Sequence, residues 1–209
     1  MSQSNFNFIS KVYDWLSTFV FGNDIIQSQT VFLNHIKEGD MILVVGGGTG
    51  WILEEIDKLE KSVSVVYVEP SSKMLERSMK RVVSEKLKIQ FIESRILDFQ
   101  SNQQFDIICT FYFLDLFLKQ ELLQTIEKLK MLLKKSGKWL YADFYLDDKS
   151  PCKHKFVVKL MFIFFETVAN IQSQELFDLQ LCIMKKGFTR LLHSKFKKGL
   201  IQSSVFGKG

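Results

Sequence analysis

The stretch that most restricts what this chain can become is ILVVGGGTGWILEEI, residues 42–56. MILVV (41–45) is a short apolar run of the kind a strand buried on both faces requires. Gly46, Gly47, Gly48, Thr49 and Gly50 follow without a spacer. From Trp51 to Leu59 the apolar residues Ile52, Leu53 and Ile56 fall on one helical face. The order is strand, tight bend, helix. Glycines in such a bend let the backbone turn sharply and bring bare amides against a ligand, best an anionic one.

The rest of the chain repeats the alternation. VSVVYV (63–68) is a second β-branched run, after which Ser71 or Ser72 can cap a helix carrying Met74, Leu75, Met79 and Val82. KIQFIE (88–93) and FDIICTF (105–111) read as strands, Glu121 to Leu133 as a helix ending before Ser136 and Gly137, and KWLYADFY (138–145) as a fifth strand. Strands alternating with helices imply right-handed crossovers and a parallel sheet covered on both faces. Residues 5–36 predict two short helices broken near Gly22, and 153–168 and 173–186 two more. Phe188 to Phe196 and Leu200 to Phe206 are close enough to form a hairpin at the sheet edge.

Composition narrows the class. At 209 residues, 46% hydrophobic and 24% charged, the chain suits one domain with a packed core. Its formal charge of +5 is scattered over pairs such as Lys134/Lys135 and Lys197/Lys198, with no basic run or stacking aromatics, which disfavours nucleic acid. Cys109, Cys152 and Cys182 lack metal or disulfide spacing, and no metal site is expected. MSQSNFNF lacks a secretory pattern, and Phe156 to Val168 is broken by Lys159 and Glu166 and is too short to span a bilayer, so a cytoplasmic protein is expected.

The ligand is narrowed by what surrounds the bend. A dinucleotide fingerprint needs G-x-G-x-x-G, and Trp51 stands where the third glycine belongs. No Gly-Lys-Ser/Thr follows, so a P-loop is excluded. What remains is G-x-G-x-G with Glu69 ending the second apolar run, where a carboxylate accepts hydrogen bonds from ribose hydroxyls.

On these motifs the sequence resembles the class I S-adenosylmethionine-dependent methyltransferases, in particular the ubiquinone/menaquinone-methyltransferase-like small-molecule branch. VVYVEPSSKMLERS, FDIICTFYFLDLF, LKMLLKKSGKWLYADF and the closing KKGFTRLLHSKFKKGLIQSSVFGKG are similar to its successive conserved regions. The resemblance implies a Rossmann-like three-layer αβα sandwich with a mostly parallel seven-stranded sheet and a C-terminal antiparallel hairpin. It implies a single domain over 1–209, with an N-terminal helical lid (1–37), a cofactor-binding core (38–150), a helical cap (151–187) and a terminal hairpin (188–209).

By the same resemblance S-adenosylmethionine is the cofactor and a small molecule the methyl acceptor. Gly46, Gly47, Gly48 and Gly50 would wrap the methionine moiety, Glu69 would bind the ribose, and Pro70 and Met74 would line the adenine side. Tyr13, Thr110 and Phe111 would lie near the methionine end. Two positions depart from the family. Val44 replaces an acidic residue before the glycines. Arg95 stands where an Asp usually reads the adenine amino group, leaving adenine to the backbone at Ile96 and to apolar packing. Tyr112, Asp115, Asp143 and Tyr145 are candidate bases, each equally readable as a cap, surface or packing residue. His193 reads as structural or exposed rather than catalytic. FVVKLMFIFFETV resembles a substrate cap and reads equally as a core helix or a homodimer face.

Overall fold

The computed structural model describes residues 22–81, 83–146, 151 and 178–209. Seven strands form one sheet: β1 (Met41–Val45), β2 (Val63–Glu69), β3 (Leu87–Glu93), β4 (Phe105–Phe111), β5 (Leu133–Phe144), β6 (Phe188–Phe196) and β7 (Ile201–Lys208), in the order β3-β2-β1-β4-β5-β7-β6. β1 to β5 run parallel, and β7 pairs antiparallel with both β5 and β6. The seven-stranded Rossmann-like architecture with its terminal antiparallel hairpin is the one the sequence predicts.

Both faces of the central strands are buried, which explains why β1 reads as unbroken apolar sequence. Leu43 and Val45 face a core shared with α4 (Lys119–Leu132) and α5 (Leu179–Lys185), whereas Ile42 and Val44 face one shared with α2 (Trp51–Asp57) and α3 (Ser72–Met79). Trp139 on β5 is fully buried, and its indole N–H donates to Thr110 Oγ1 at 2.8 Å. Of the two serines that could cap α3, Ser71 does so, the Met74 amide donating to its hydroxyl at 3.4 Å.

Some boundaries differ from expectation. β5 begins at Leu133, not 138, and Ser136 and Gly137 lie inside it. Leu133 pairs with Phe105 and Lys138 with Ile107, so the extra residues bulge out within the strand and never become the predicted break. Gly137 suits the bulge because a Cβ there would sit 2.7 Å from the Leu133 side chain. β7 runs on to Lys208, since the hairpin ladder continues to Phe188. Of the predicted N-terminal helices, α1 (Asn23–Thr30) and a short 3-10 turn (Leu33–His35) follow Gly22. Residues 1–21 of the expected lid, and with them Tyr13, lie outside the described residues, as do residues 152–177 of the expected cap. Among the described residues no helix is long and apolar enough to cross a membrane.

What positions a site is the strand order. From β1 the chain steps outward through β2 to β3, then returns to place β4 on the other flank of β1. The crevice at the carboxyl ends of β1 and β4 is a topological switch point, the usual place for a ligand in an open α/β sheet.

Candidate functional site

The glycine bend opens at this crevice. The Gly46 amide donates to Val68 O at 2.9 Å, extending the β1–β2 ladder by one step before the chain turns. Gly46, Gly48 and Gly50 all have positive φ, at 64°, 60° and 79°. The bend is enclosed by its own protein on most sides. A Cβ on Gly46 would sit 2.2 Å from the Phe113 ring, one on Gly47 2.5 Å from Tyr67, and one on Gly50 2.6 Å from Ser78. Gly48 alone faces open space. Arg81 closes the far side, donating from Nε to Thr49 O at 3.0 Å and pairing with Glu54 at 3.0 Å.

Steric contact at Gly46 gives a direct test. Gly46→Ala combines a left-handed backbone with overlap on Phe113, and should cost about 2 kcal/mol in urea denaturation. Adding Phe113→Ala should remove part of that penalty, so the double variant loses less than the two singles summed. Strict additivity would show that the contact is not what demands glycine.

Glu69 ends β2 beside the bend and is 6% exposed. Its Oε2 accepts from the Gly48 amide at 3.1 Å and its Oε1 from the Ser71 amide at 3.0 Å. Burial pushes this carboxyl above its ordinary range, and the Ser71 and Gly48 amides pull against that. A carboxylate offers about four lone-pair sites, so each oxygen retains capacity for one further donor. The Tyr67 hydroxyl donates to Gly48 O at 3.0 Å, and burial drives its pKa up, keeping it a neutral donor.

Next to Glu69 lies a cavity of about 70 Å³ bounded by Val45, Val68, Pro70, Arg95, Ile96 and Phe113. It would hold about two waters. Arg95 does not reach into it as a lone cation, since its guanidinium is paired with Glu121, which also lines the cavity. The structure thus gathers Gly46, Gly47, Gly48, Gly50, Glu69, Pro70, Arg95 and Ile96 around one end of the crevice. Met74, Thr110 and Phe111 do not line that cavity. Met74 gives its amide to the α3 cap, the Thr110 hydroxyl is taken by Trp139, and Phe111 packs against the α2/α3 side. Val44 is 1% exposed and belongs to the core, where a carboxylate would be buried among apolar groups.

At the ends of β4 and β5 the candidate bases fall into two groups. Tyr112 has a positive φ of 53° and its hydroxyl lies 2.6 Å from Ser28 Oγ. Asp143, 0% exposed, accepts from the amides of Leu114, Asp115 and Phe144 at 3.2, 3.4 and 3.0 Å. Asp115 hydrogen-bonds to it through the side chain, and its Oδ1 is shielded from solvent. Burial raises both carboxyls, Asp115 to about 6, and the Asp115 charge raises Asp143 further. Two buried carboxyls in contact titrate as a coupled pair, each holding its proton to higher pH than it would in water. Tyr145 and His193 lie elsewhere, on a second cavity between β6, β7 and α5.

Phe113, Glu121 and Arg81 are site residues the sequence reading did not single out. Phe113 and Glu121 follow β4, and only the fold brings them to the end of β2. Arg81 lies beyond α3 and carries no motif.

Residues 42–137 match the family model described as a methyltransferase domain. No curated protein sequence matches the chain. Among solved structures, the chain superposes on the complex between the Haloferax volcanii Trm112 methyltransferase activator and a proposed methyltransferase at a TM-score of 0.73 and 10% identity, covering 100% of this chain and 99% of that one. An S-adenosylmethionine-dependent methyltransferase from Clostridium acetobutylicum gives 0.64 at 14% identity, with 98% and 99% covered. The mitomycin 7-O-methyltransferase MmcR gives 0.68 at 10% identity over 90% of this chain, which spans only 55% of that protein. The seven-stranded sheet, its superposition on these solved structures and the 42–137 match together show a Rossmann-like methyltransferase fold.

Proposed function

We propose that the chain is an S-adenosylmethionine-dependent methyltransferase acting on a small, partly apolar molecule by in-line transfer. One observation carries this reading: the Glu69 carboxylate is hydrogen-bonded to the Gly48 amide, at the one point of the bend that opens to space. The donor set fits the cofactor. Glu69 has spare acceptor capacity for ribose hydroxyls, Gly48 leaves room for a chain lying against it, and Pro70 and Ile96 offer apolar walls to a purine. When bound, the cofactor supplies a methyl group on a sulfonium, which leaves as a neutral thioether.

The protein's own task is then alignment and the handling of one proton. Residues at the crevice would hold donor and acceptor in line, which can supply much of the acceleration. Where the acceptor must shed a proton, the Asp115/Asp143 pair is the basic group this chain offers at the ends of β4 and β5, its raised range suiting proton exchange near neutrality.

The Arg95–Glu121 pair and the small volume behind it favour a second reading, a binding protein that keeps the fold without turnover. Titration calorimetry with S-adenosylmethionine and S-adenosylhomocysteine separates the cases. Saturable binding of both, with labelled methyl transferred to extract metabolites, is the expected result. Binding without transfer leaves the second reading, and binding of neither at millimolar ligand ends both.

A further inference from the structure

On the sheet face shared with α4 and α5, toward the β6 edge and at the same carboxyl end of the parallel strands as Glu69, lies the second cavity, of about 220 Å³. It would hold about seven waters at roughly 30 Å³ each, enough for a small organic acid. Its walls are Tyr145, Gln180, Arg190, His193, Lys195 and Gln202, with Asp178 and Met184 at α5.

The basic side chains converge here because β6 is irregular. Arg190 pairs with Phe206, Leu192 with Val205, His193 with Ser204 and Lys195 with Gln202, so Leu191 is an additional residue in the ladder. In a regular strand Arg190 would face away from His193 and Lys195, because side chains alternate between faces. The bulge turns it to their side, and Leu191 and Leu192 are left 52% and 41% exposed. Bulges re-aim side chains in this way next to binding sites.

Arg190 is then held in place. Its Nη1 donates to Gln180 Oε1 at 3.0 Å, the Ser204 hydroxyl donates to the same oxygen at 2.9 Å, and Gln180 Nε2 donates to Gln202 Oε1 at 2.6 Å. Gln180 and Gln202 are 3% and 5% exposed. Since the Ser204 proton goes to Gln180, its oxygen accepts from His193 Nδ1 at 3.0 Å, which leaves Nε2 as the titrating nitrogen. Burial, Arg190 and Lys195 hold His193 below the usual imidazole range. Among the described residues neither Arg190 nor Lys195 has a carboxylate partner, and the Oδ1 of Asp178, the one acid on the walls, accepts from the Leu181 amide.

We propose that this cavity binds a small molecule through a compact oxyanion, a carboxylate or a phosphate monoester, gripped by Arg190 and Lys195 at a site separate from the glycine bend. An anion there offsets the two positive charges facing His193, so binding takes up a proton at Nε2 and tightens as pH falls. Tyr145, Asp178, Arg190 and Lys195 are the charged or titratable groups on the walls, and the two cations dominate that balance.

The test is side-chain NMR of the isotope-labelled full chain, titrated with inorganic phosphate and separately with malonate, against chloride at matched ionic strength. A saturable shift of the His193 ring with a raised pKa is expected, while His35 stays unmoved. Response to phosphate alone or malonate alone assigns the oxyanion. In Arg190→Gln/Lys195→Gln, which alters two exposed side chains, affinity should fall at least about tenfold. Arg190→Lys should retain part of it. No saturable shift with either anion at tens of millimolar, or an undiminished one in the double variant with unchanged α5 resonances, overturns the proposal. None of these outcomes depends on whether the bend binds S-adenosylmethionine.

Discussion

Glu69→Gln should weaken S-adenosylhomocysteine binding about 100-fold, the cost of about 3 kcal/mol when hydrogen bonds to a charged acceptor are lost. The size follows from the geometry. Glu69 is 6% exposed, and each oxygen already takes one backbone amide, from Gly48 or Ser71. A ribose would therefore add its hydroxyls to an acceptor that is fixed and shielded from water. Glutamine keeps one acceptor oxygen and turns an N–H₂ toward an amide donor, so it must lose either the bend or Ser71. Calorimetry on protein verified as folded measures the loss. Wild-type affinity in the variant would reduce Glu69 to a brace for the loop and remove the main support for the proposed cofactor.

The second large effect concerns stability against pH. Asp115 and Asp143 are both raised by burial, Asp115 to about 6 from an unfolded value of about 3.9. A carboxyl raised in the folded state contributes its full stability below the unfolded value and loses it as pH rises through the folded one. For Asp115 alone the loss between about pH 4 and pH 7 is on the order of 3 kcal/mol. Asp115→Asn keeps a donor toward Asp143 and has no proton to release. The variant should therefore gain on wild type across that window, by up to that amount, in urea melts taken at each end. A difference independent of pH would mean that burial does not raise Asp115.

The sequence announced the fold wherever a single local signal decided it. MILVV and FDIICTF are strands over the residues read for them, because strands buried on both faces must be apolar throughout. Ser71 caps α3 because its hydroxyl suits that place. Boundaries failed where tertiary pairing overrode local preference. Ser136 and Gly137 look like a helix stop, yet the bulge opposite Phe105 and Ile107 absorbs them into β5.

The site was legible in the same measure. Residues close in sequence, from Gly46 to Gly50, and Glu69 on the neighbouring strand could be joined on the page because parallel β1 and β2 bring their ends level. Phe113 and Glu121 could not, since they enter from the far flank of β1 through the reversal of strand order. The contact of Asp115 with Asp143 was equally hidden. Both are acids near predicted strand ends, but only the fold sets one against the other.

Phe113, Tyr67, Ser78 and Arg81 press on the turn between β1 and α2 from different directions. A loop so confined before any partner arrives has little freedom left to surrender on association. Its entropy was spent during folding, and a ligand meeting it would not be charged for ordering it again. The amide of Gly48 should accordingly exchange its hydrogen slowly in the free protein and change little on saturation, a rigid template where many binding loops are pliant.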